Sequence, residues 1–447
     1  MNKLKHIKTF LRSLRKNPTI INIITVAFIT LLVKGLGFYK EIIVAGSFGL
    51  SELLDTFFIA ALVPGFIYQV FLVAFKSVFI PNYVAEQKAG ASVGSIQTTS
   101  LLITIFMSLF FMIIAFLITN TFLKILFPNH TDLYYNLIKL QFSYLLPCIL
   151  FWGMSSLISG LLNVHNEFKY ATLYPIFTSI SMITLLLFFK DYFQERVLAL
   201  GMLIGSILEF LFLFIVAKFK HILKFRKPDF KSHGTRMMLN QLPAKASSGF
   251  LTGLIPVTDQ FFAAQLVIGS VAALNYGLKI PAFFTTIIII AMGNVLLPYF
   301  SKLTLDNRDM AFKELYNILK WLFIGLLIVI IPIILFSSSL VELIFERNEF
   351  TSNDTIIVSK IQIIFLCGIP FTICGNIIVR FLTSINRNSF MAYVSFFSML
   401  LNILLDYILL KIYGVFGIAF STIILQIVRS MVLLKYTTKQ RYLIKRG

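Results

Sequence analysis

Charge is scarce in this chain of 447 residues, and acidic charge scarcest. Only 13% of residues are charged, with 19 Asp and Glu against 39 Lys and Arg. A soluble globular domain carries about a quarter charged residues. Hydrophobic residues make up 58% and the mean hydropathy is +0.88. Such an apolar surplus excludes a cytosolic enzyme, a secreted disulfide scaffold and a disordered chain. Cysteine is sparse too: Cys148, Cys367 and Cys374 lie in apolar stretches without metal-ligand spacing. His6, His130, His165, His221 and His233 are equally scattered, and no Walker loop occurs. No metal, cofactor or enzymatic centre is expected. No outer loop is long enough for a folded domain, and Glu342–Asp354 reads as a turn marker.

What is present is a succession of long apolar runs. A helix needs about 20 such residues to cross the hydrocarbon core. Twelve runs qualify. In the first half they lie near 20–44, 53–75, 97–122, 134–162, 170–189 and 197–217. In the second half they lie near 240–263, 271–299, 315–337, 355–379, 389–410 and 414–434. Pro64, Pro147, Pro175, Pro256, Pro281, Pro332 and Pro370 are expected inside spans, where neighbouring helices satisfy the freed carbonyls.

The basic residues assign the sides. With an inner N-terminus, the outer segments hold only Lys124, Lys190, Arg196, Arg347 and Lys411. Lys34, Lys40, Lys139, Lys279, Lys320 and Lys360 fall within or at the edge of spans, and all other basic residues are on the inner side. The positive-inside rule then predicts both termini in the cytoplasm of a multi-pass protein. The expected organisation is a basic arm (1–19), a six-helix lobe (20–217), a basic linker (218–239), a second six-helix lobe (240–434) and a basic tail (435–447). The net charge of +20 is thereby assigned to the membrane surface and not to nucleic acid.

The halves repeat. Asp55-Thr-Phe-Phe-Ile-Ala returns as Asp259-Gln-Phe-Phe-Ala-Ala, and Phe79-Ile-Pro81 as Leu296-Leu-Pro298. Leu162-Asn163-Val-His-Asn166 is echoed by Ser384-Ile-Asn386-Arg-Asn388. Both halves enter from the same side, which makes a parallel repeat. The expected fold is all-α and integral to the membrane, with two six-helix lobes around a central cavity.

An ionisable group near the bilayer centre costs about 2.5–3.5 kcal/mol and needs a reason. Six residues at about 100° each set Lys34 and Lys40 roughly 240° apart around a helix, and Gly35 and Gly37 between them can bend it. Lys279 stands beside Pro281. Internal ion pairs, such as Lys40 with Asp55, are one account. The other is an anion-binding cavity in which Lys34, Lys279 and Lys40 hold a diphosphate. Asp259, Glu209 and Asp406 are candidates for coupling a cation, and Asp55, Tyr68 and Gln69 for contacting substrate or forming a gate.

The run KGLGFYKEIIVAGSFGLSELLDTFFIAALVPGF, with the later FIPNYVAEQKAG, GLLNVHNEF, LNYGLKIP, LLPYFSKL and IFERNEFT segments, resembles the MviN/MurJ-type lipid II flippases. These belong to the multidrug/oligosaccharidyl-lipid/polysaccharide exporter superfamily. The resemblance implies a flippase that moves an undecaprenyl-diphosphate-linked saccharide from the inner to the outer leaflet by alternating access. It implies functional arginines at positions 34, 40 and 279, where this chain has lysine, and an aspartate at Asp55. A further arginine of that family is replaced here by Tyr68 or Gln69, and an acidic residue before FIP is missing. The family has fourteen spans against the twelve here. Polysaccharide repeat-unit flippases of the superfamily share the twelve. The implied partners are the lipid-linked substrate and membrane lipids. The chain is expected to act as a monomer, beside enzymes of cell-wall or polysaccharide synthesis. The implied drive is the membrane potential, Na⁺ or H⁺. A cation-coupled multidrug antiporter and, in a different class, a membrane glycosyltransferase are the alternatives.

Overall fold

The computed structural model describes residues 18–90, 92–127 and 130–446. Most of the expected basic arm, 1–19, lies outside the described residues. Among the described residues there is no strand, only an isolated bridge between Arg347 and Phe350. The helices of the first half are α1 (Pro18–Phe48), α2 (Glu52–Ile67), α3 (Val73–Lys88), α4 (Val93–Leu126), α5 (Asp132–Leu145), α6 (Cys148–Val164), α7 (Phe168–Leu173), α8 (Ile176–Phe193) and α9 (Val197–Phe219). Those of the second are α10 (His233–Ala263), α11 (Ser270–Asp306), α12 (Arg308–Leu335), α13 (Ser337–Phe345), α14 (Ser352–Ser384), α15 (Asn388–Tyr413) and α16 (Val415–Arg446).

All twelve expected spans fall on helices. Nine stretches among the described residues are long and apolar enough to cross a membrane, and one of them, Phe168–Phe219, contains two expected spans. The protein is a multi-pass membrane protein. Two prolines act differently from expectation. Pro147 and Pro175 are not inside helices but at the N-caps of α6 and α8. Each lacks the N–H that would continue the preceding helix, so the chain restarts there. Pro64, Pro281, Pro332 and Pro370 do sit inside helices. One turn after Pro64 the helix widens into a π-helical turn, Tyr68–Leu72, before α3 begins.

The chain packs as two compact units. The first comprises the chain up to Val44, Ala60–Ile125 and His130–Gly249; the second comprises Ala45–Ile59, Leu126–Asn129 and Phe250 onward. The end of α1 and the start of α2 thus pack with the C-terminal half of the sequence. In the first unit α9 is the hub, lying against α5, α6 and α8. Between apolar helices in lipid, close approach of small residues replaces the hydrophobic drive. Gly205 shows this: a Cβ there would lie 2.5 Å from the Thr178 Cα on α8. In the second unit α14 is the hub, against α11, α12, α13 and α16. The rings of Phe300 and Phe312 meet Phe381 edge-on at 5.3 and 4.8 Å.

The repeat is visible in the backbone of each unit. Asn166 and Asn386 both take positive φ, 62° and 58°. Glu167 N–H donates to the Leu162 carbonyl, and Arg387 N–H to that of Leu382, each at 2.9 Å. Both are left-handed helix caps of the Schellman kind, for which Asn is suited. The structural register therefore pairs Asn166 with Asn386.

The turn between α13 and α14 is organised by Glu346. Its carboxylate accepts from the Ser352 hydroxyl at 2.7 Å and the Thr355 hydroxyl at 2.6 Å. Thr351 and Asp354 form a capping box at the start of α14. The two hydroxyls hold Glu346 below the usual carboxylate range. A depressed folded pKa stabilises above the unfolded value, about 4.3, and that contribution disappears as pH falls through the folded pKa. Glu346→Gln is expected to lower the thermal midpoint at pH 7, with the difference from wild type closing below about pH 4. A pH series of thermal unfolding in detergent checks this.

Candidate functional site

Four carboxylates expected in spans find different environments. In the second unit Asp259 on α10 meets α15 and α16. Its oxygens accept from Asn402 Nδ2 and Thr422 Oγ1, each at 3.1 Å. Thr258 Oγ1 donates to Asn402 Oδ1 at 2.6 Å, fixing the amide so that its nitrogen faces Asp259. Asn402 and Asp406 are four residues apart on α15 and share one face. Asp406 is fully buried beside Asp259 and Ser421, and among the described residues no donor reaches either of its carboxylate oxygens at hydrogen-bond geometry. Among the described residues no lysine or arginine pairs with these two acids. Two buried carboxylates side by side cannot both stay ionised without a proton or a cation between them. The structure thus brings two of the coupling candidates together. Asn402 and Thr422 complete the cluster and were not picked out from the sequence. An amide one helical turn from an aspartate in an apolar span is the signal that marks Asn402.

Asp55 is also buried, but its partners are backbone groups. It accepts from Gly269 N–H at 2.6 Å and Ala272 N–H at 2.7 Å. These are donors at the first turn of α11, which a helix cannot satisfy internally and whose partial positive charge suits an anion. Gly269 has φ +92°, and a Cβ there would sit 2.6 Å from the Leu50 carbonyl oxygen. The contact therefore requires glycine. On the same unit, Glu349 N–H donates to the Gly46 carbonyl at 3.1 Å. The segment 45–59 is held at both ends. Lys279, on α11, is half-buried with its ammonium 5.8 Å from the centre of the Phe58 ring.

In the first unit, Lys34 is exposed on α1. Lys40 is partly buried and pairs with its neighbour Glu41 at 2.7 Å. The expected Lys40–Asp55 pair is thereby corrected: the lysine takes the adjacent acid and Asp55 takes backbone donors. Glu209 on α9 is buried and accepts from Thr178 Oγ1 at 2.6 Å. Tyr68, on the π-helical turn, stands near Glu209 and Tyr174, with Trp152 edge-on at 5.7 Å. Gln69 is exposed and outside this group. Lys76, assigned to the inner side by sequence, instead lies in α3 and donates to Ser159 Oγ at 2.8 Å. The apolar run seemed to end before it, whereas the helix continues to Lys88.

These sites sit in a chain whose relatives can be identified. A model of the lipid II flippase MurJ family matches residues 44–447. The chain belongs to the MurJ lipid II flippase family. A probable lipid II flippase MurJ of Buchnera aphidicola subsp. Baizongia pistaciae is 28% identical over 419 residues, covering 90% of this chain and 80% of the relative. A solved structure of lipid II flippase MurJ in an inward closed conformation matches with a TM-score of 0.80 at 24% identity, over 94% of this chain and 89% of that one. An inward-facing multidrug resistance MATE family transporter of the MOP superfamily matches with a TM-score of 0.74 at 14% identity, over 95% and 99%. The two structures establish the fold, twelve helices in two lobes.

Within this MurJ-family chain Asp55 makes a prediction of its own. Asp55→Ala orphans two buried N–H groups, at a cost of about 1–3 kcal/mol each. Its thermal midpoint is expected to fall clearly, and Asp55→Asn, which keeps one acceptor oxygen, to fall less. Thermal unfolding of both variants in detergent decides it.

Proposed function

We propose that this protein is a flippase carrying lipid II, an undecaprenyl-diphosphate-linked saccharide, from the inner to the outer leaflet of the bacterial cytoplasmic membrane. The observation that carries the reading is the MurJ family match across residues 44–447. The multi-pass helical fold supports it, as does Lys279 within the membrane-length stretch Ser270–Ile289. The drug-antiporter alternative shares the fold, but the family match goes to the flippases. A glycosyltransferase would have to alter its lipid covalently, whereas the carrier here returns it unchanged.

The diphosphate is the part of the cargo that hydrocarbon excludes most strongly. Lys34 and Lys279, joined by Lys40, are proposed to bind it. Lysine offers a compact charge without the bidentate fork of arginine, so the site holds the diphosphate by charge more than by fixed geometry. The prenyl tail stays in lipid while the headgroup crosses by alternating access. With both termini cytoplasmic, as the basic residues suggest, an anion moves toward the positive outer side. The potential is worth about 2.3 kcal/mol per charge per 100 mV. In a bacterium depleted of its own lipid II flippase, the chain is expected to restore growth and outer-leaflet lipid II. Lys34→Ala with Lys279→Ala is expected to abolish both while reaching the membrane normally. Full rescue by the double variant would refute the diphosphate assignment.

The Asp259–Asp406 cluster supports coupling to a small hard cation. Its donors are carboxylate, hydroxyl and amide oxygens, the set that such ions prefer. Asp406, without a donor of its own, is the ligand with most to gain. Replacing choline by Na⁺ at constant ionic strength is expected to raise the thermal midpoint of the wild type and not of Asp406→Asn. An equal shift in both proteins would exclude this cluster as the ion site.

A further inference from the structure

Between α9 and α10 the chain runs through its most basic stretch, Lys218–Arg236, and it does so as a fixed strap. His221 takes positive φ, 52°, and Ile222 N–H closes the cap of α9 on the Ala217 carbonyl at 3.0 Å. From there the extended backbone is laced to the first two turns of α4. Gln97 donates to the Ile222 carbonyl at 3.1 Å and accepts from Lys224 N–H at 2.7 Å. Thr98 accepts from Arg226 N–H at 3.2 Å, and Thr99 from Asp229 N–H at 2.9 Å. Ser95 donates to the Lys227 carbonyl at 2.9 Å. The far end is tied by Glu86, which accepts from Gly234 N–H at 2.8 Å at the start of α10.

The lacing uses the backbone and leaves the side chains outside. Lys224, Arg226, Lys227 and Lys231 are exposed. So are two aromatic rings among them, Phe225 at 58% and Phe230 at 52%. Large exposed apolar rings alternating with cations are costly in water but suit the boundary between headgroups and acyl chains. The height is right as well. The strap is fastened to Ser95–Thr99, where the apolar span of α4 begins, so it lies at the level of the headgroups beside that helix.

We infer that the strap is a preorganised platform for anionic phospholipid headgroups, with the four cations binding phosphates and Phe225 and Phe230 seated in the interface. Because the backbone is fixed by α4, binding orders only side chains. The assignment to the inner leaflet rests on the orientation proposed above; the lipid preference does not depend on flipping.

The test uses the full chain released from nanodiscs containing equal phosphatidylglycerol and phosphatidylcholine, with retained lipids counted by native mass spectrometry. The wild type is expected to retain phosphatidylglycerol selectively and to lose the selectivity at high salt. Each basic side chain near an anionic surface contributes on the order of fivefold, so neutralising all four with Gln is expected to cut retention by about tenfold or more. Thr98→Val with Thr99→Val keeps every charge but removes two acceptors of the lacing, and is expected to cut retention by about threefold. Wild-type retention in the four-fold variant would overturn the platform. Unchanged retention in the threonine variant would overturn its preorganisation. Displacement of phosphatidylglycerol by an equimolar prenyl diphosphate would also overturn it, by assigning the strap to the cargo.

Discussion

The carboxylate of Asp55 on the first turn of α11 is the contact on which the arrangement of the second unit turns. A helix start buried in a membrane protein exposes N–H groups that neither water nor lipid can satisfy. Here an acid from far earlier in the sequence supplies the acceptors, and the segment 45–59 is drawn into the second unit with it. Because Val44 and Ala45 are consecutive in α1, and Ile59 and Ala60 in α2, both helices belong to both units. Their compliant points lie nearby: Gly35 and Gly37 on α1, and Pro64 with the π-helical turn Tyr68–Leu72 beyond α2. The same carboxylate thus caps α11 and fixes the start of α2 within the second unit.

The number of helices and their apolar runs were legible because hydrocarbon imposes a length and a composition that no tertiary contact can override. Side-chain partners obey no such rule. Lys40 has Glu41 as its neighbour in sequence, and that proximity won over any remote acid. Lys76 looked like the edge of an inner loop, because counting charges cannot tell a residue after a span from one inside a helix that outlasts its apolar core. Pro147 and Pro175 read as kinks within spans, yet each starts a helix; the difference depends on whether the chain before them finds other acceptors. Asn402 is marked only by its place one turn before Asp406, and Thr422 by nothing of its own, because their role lies in whom they face.

The polar groups buried in each unit share one requirement and meet it differently. Glu209 is served by a hydroxyl from the helix that Gly205 lets in close. Lys76 is served by Ser159. In both cases a small residue or a hydroxyl on a neighbouring helix takes the place of a counter-ion, which is the inexpensive way to keep a polar side chain in an apolar surround.

Asp55 and Asp259 open similar sequence motifs but do not hold equivalent places, since Asp55 lies in the first turn of α2 and Asp259 near the end of α10. Asp55 meets two backbone N–H donors. Asp259 meets an amide, a hydroxyl and a second carboxylate, an environment short of positive charge. The Asp55 carboxylate is committed through both oxygens to the start of α11. A carboxylate beside Asp406 must respond, because only a proton or a cation relieves the repulsion. One acid thus serves the cap of a helix, and the other sits where only a proton or a cation relieves the charge of its neighbour, among α10, α15 and α16 of the second unit.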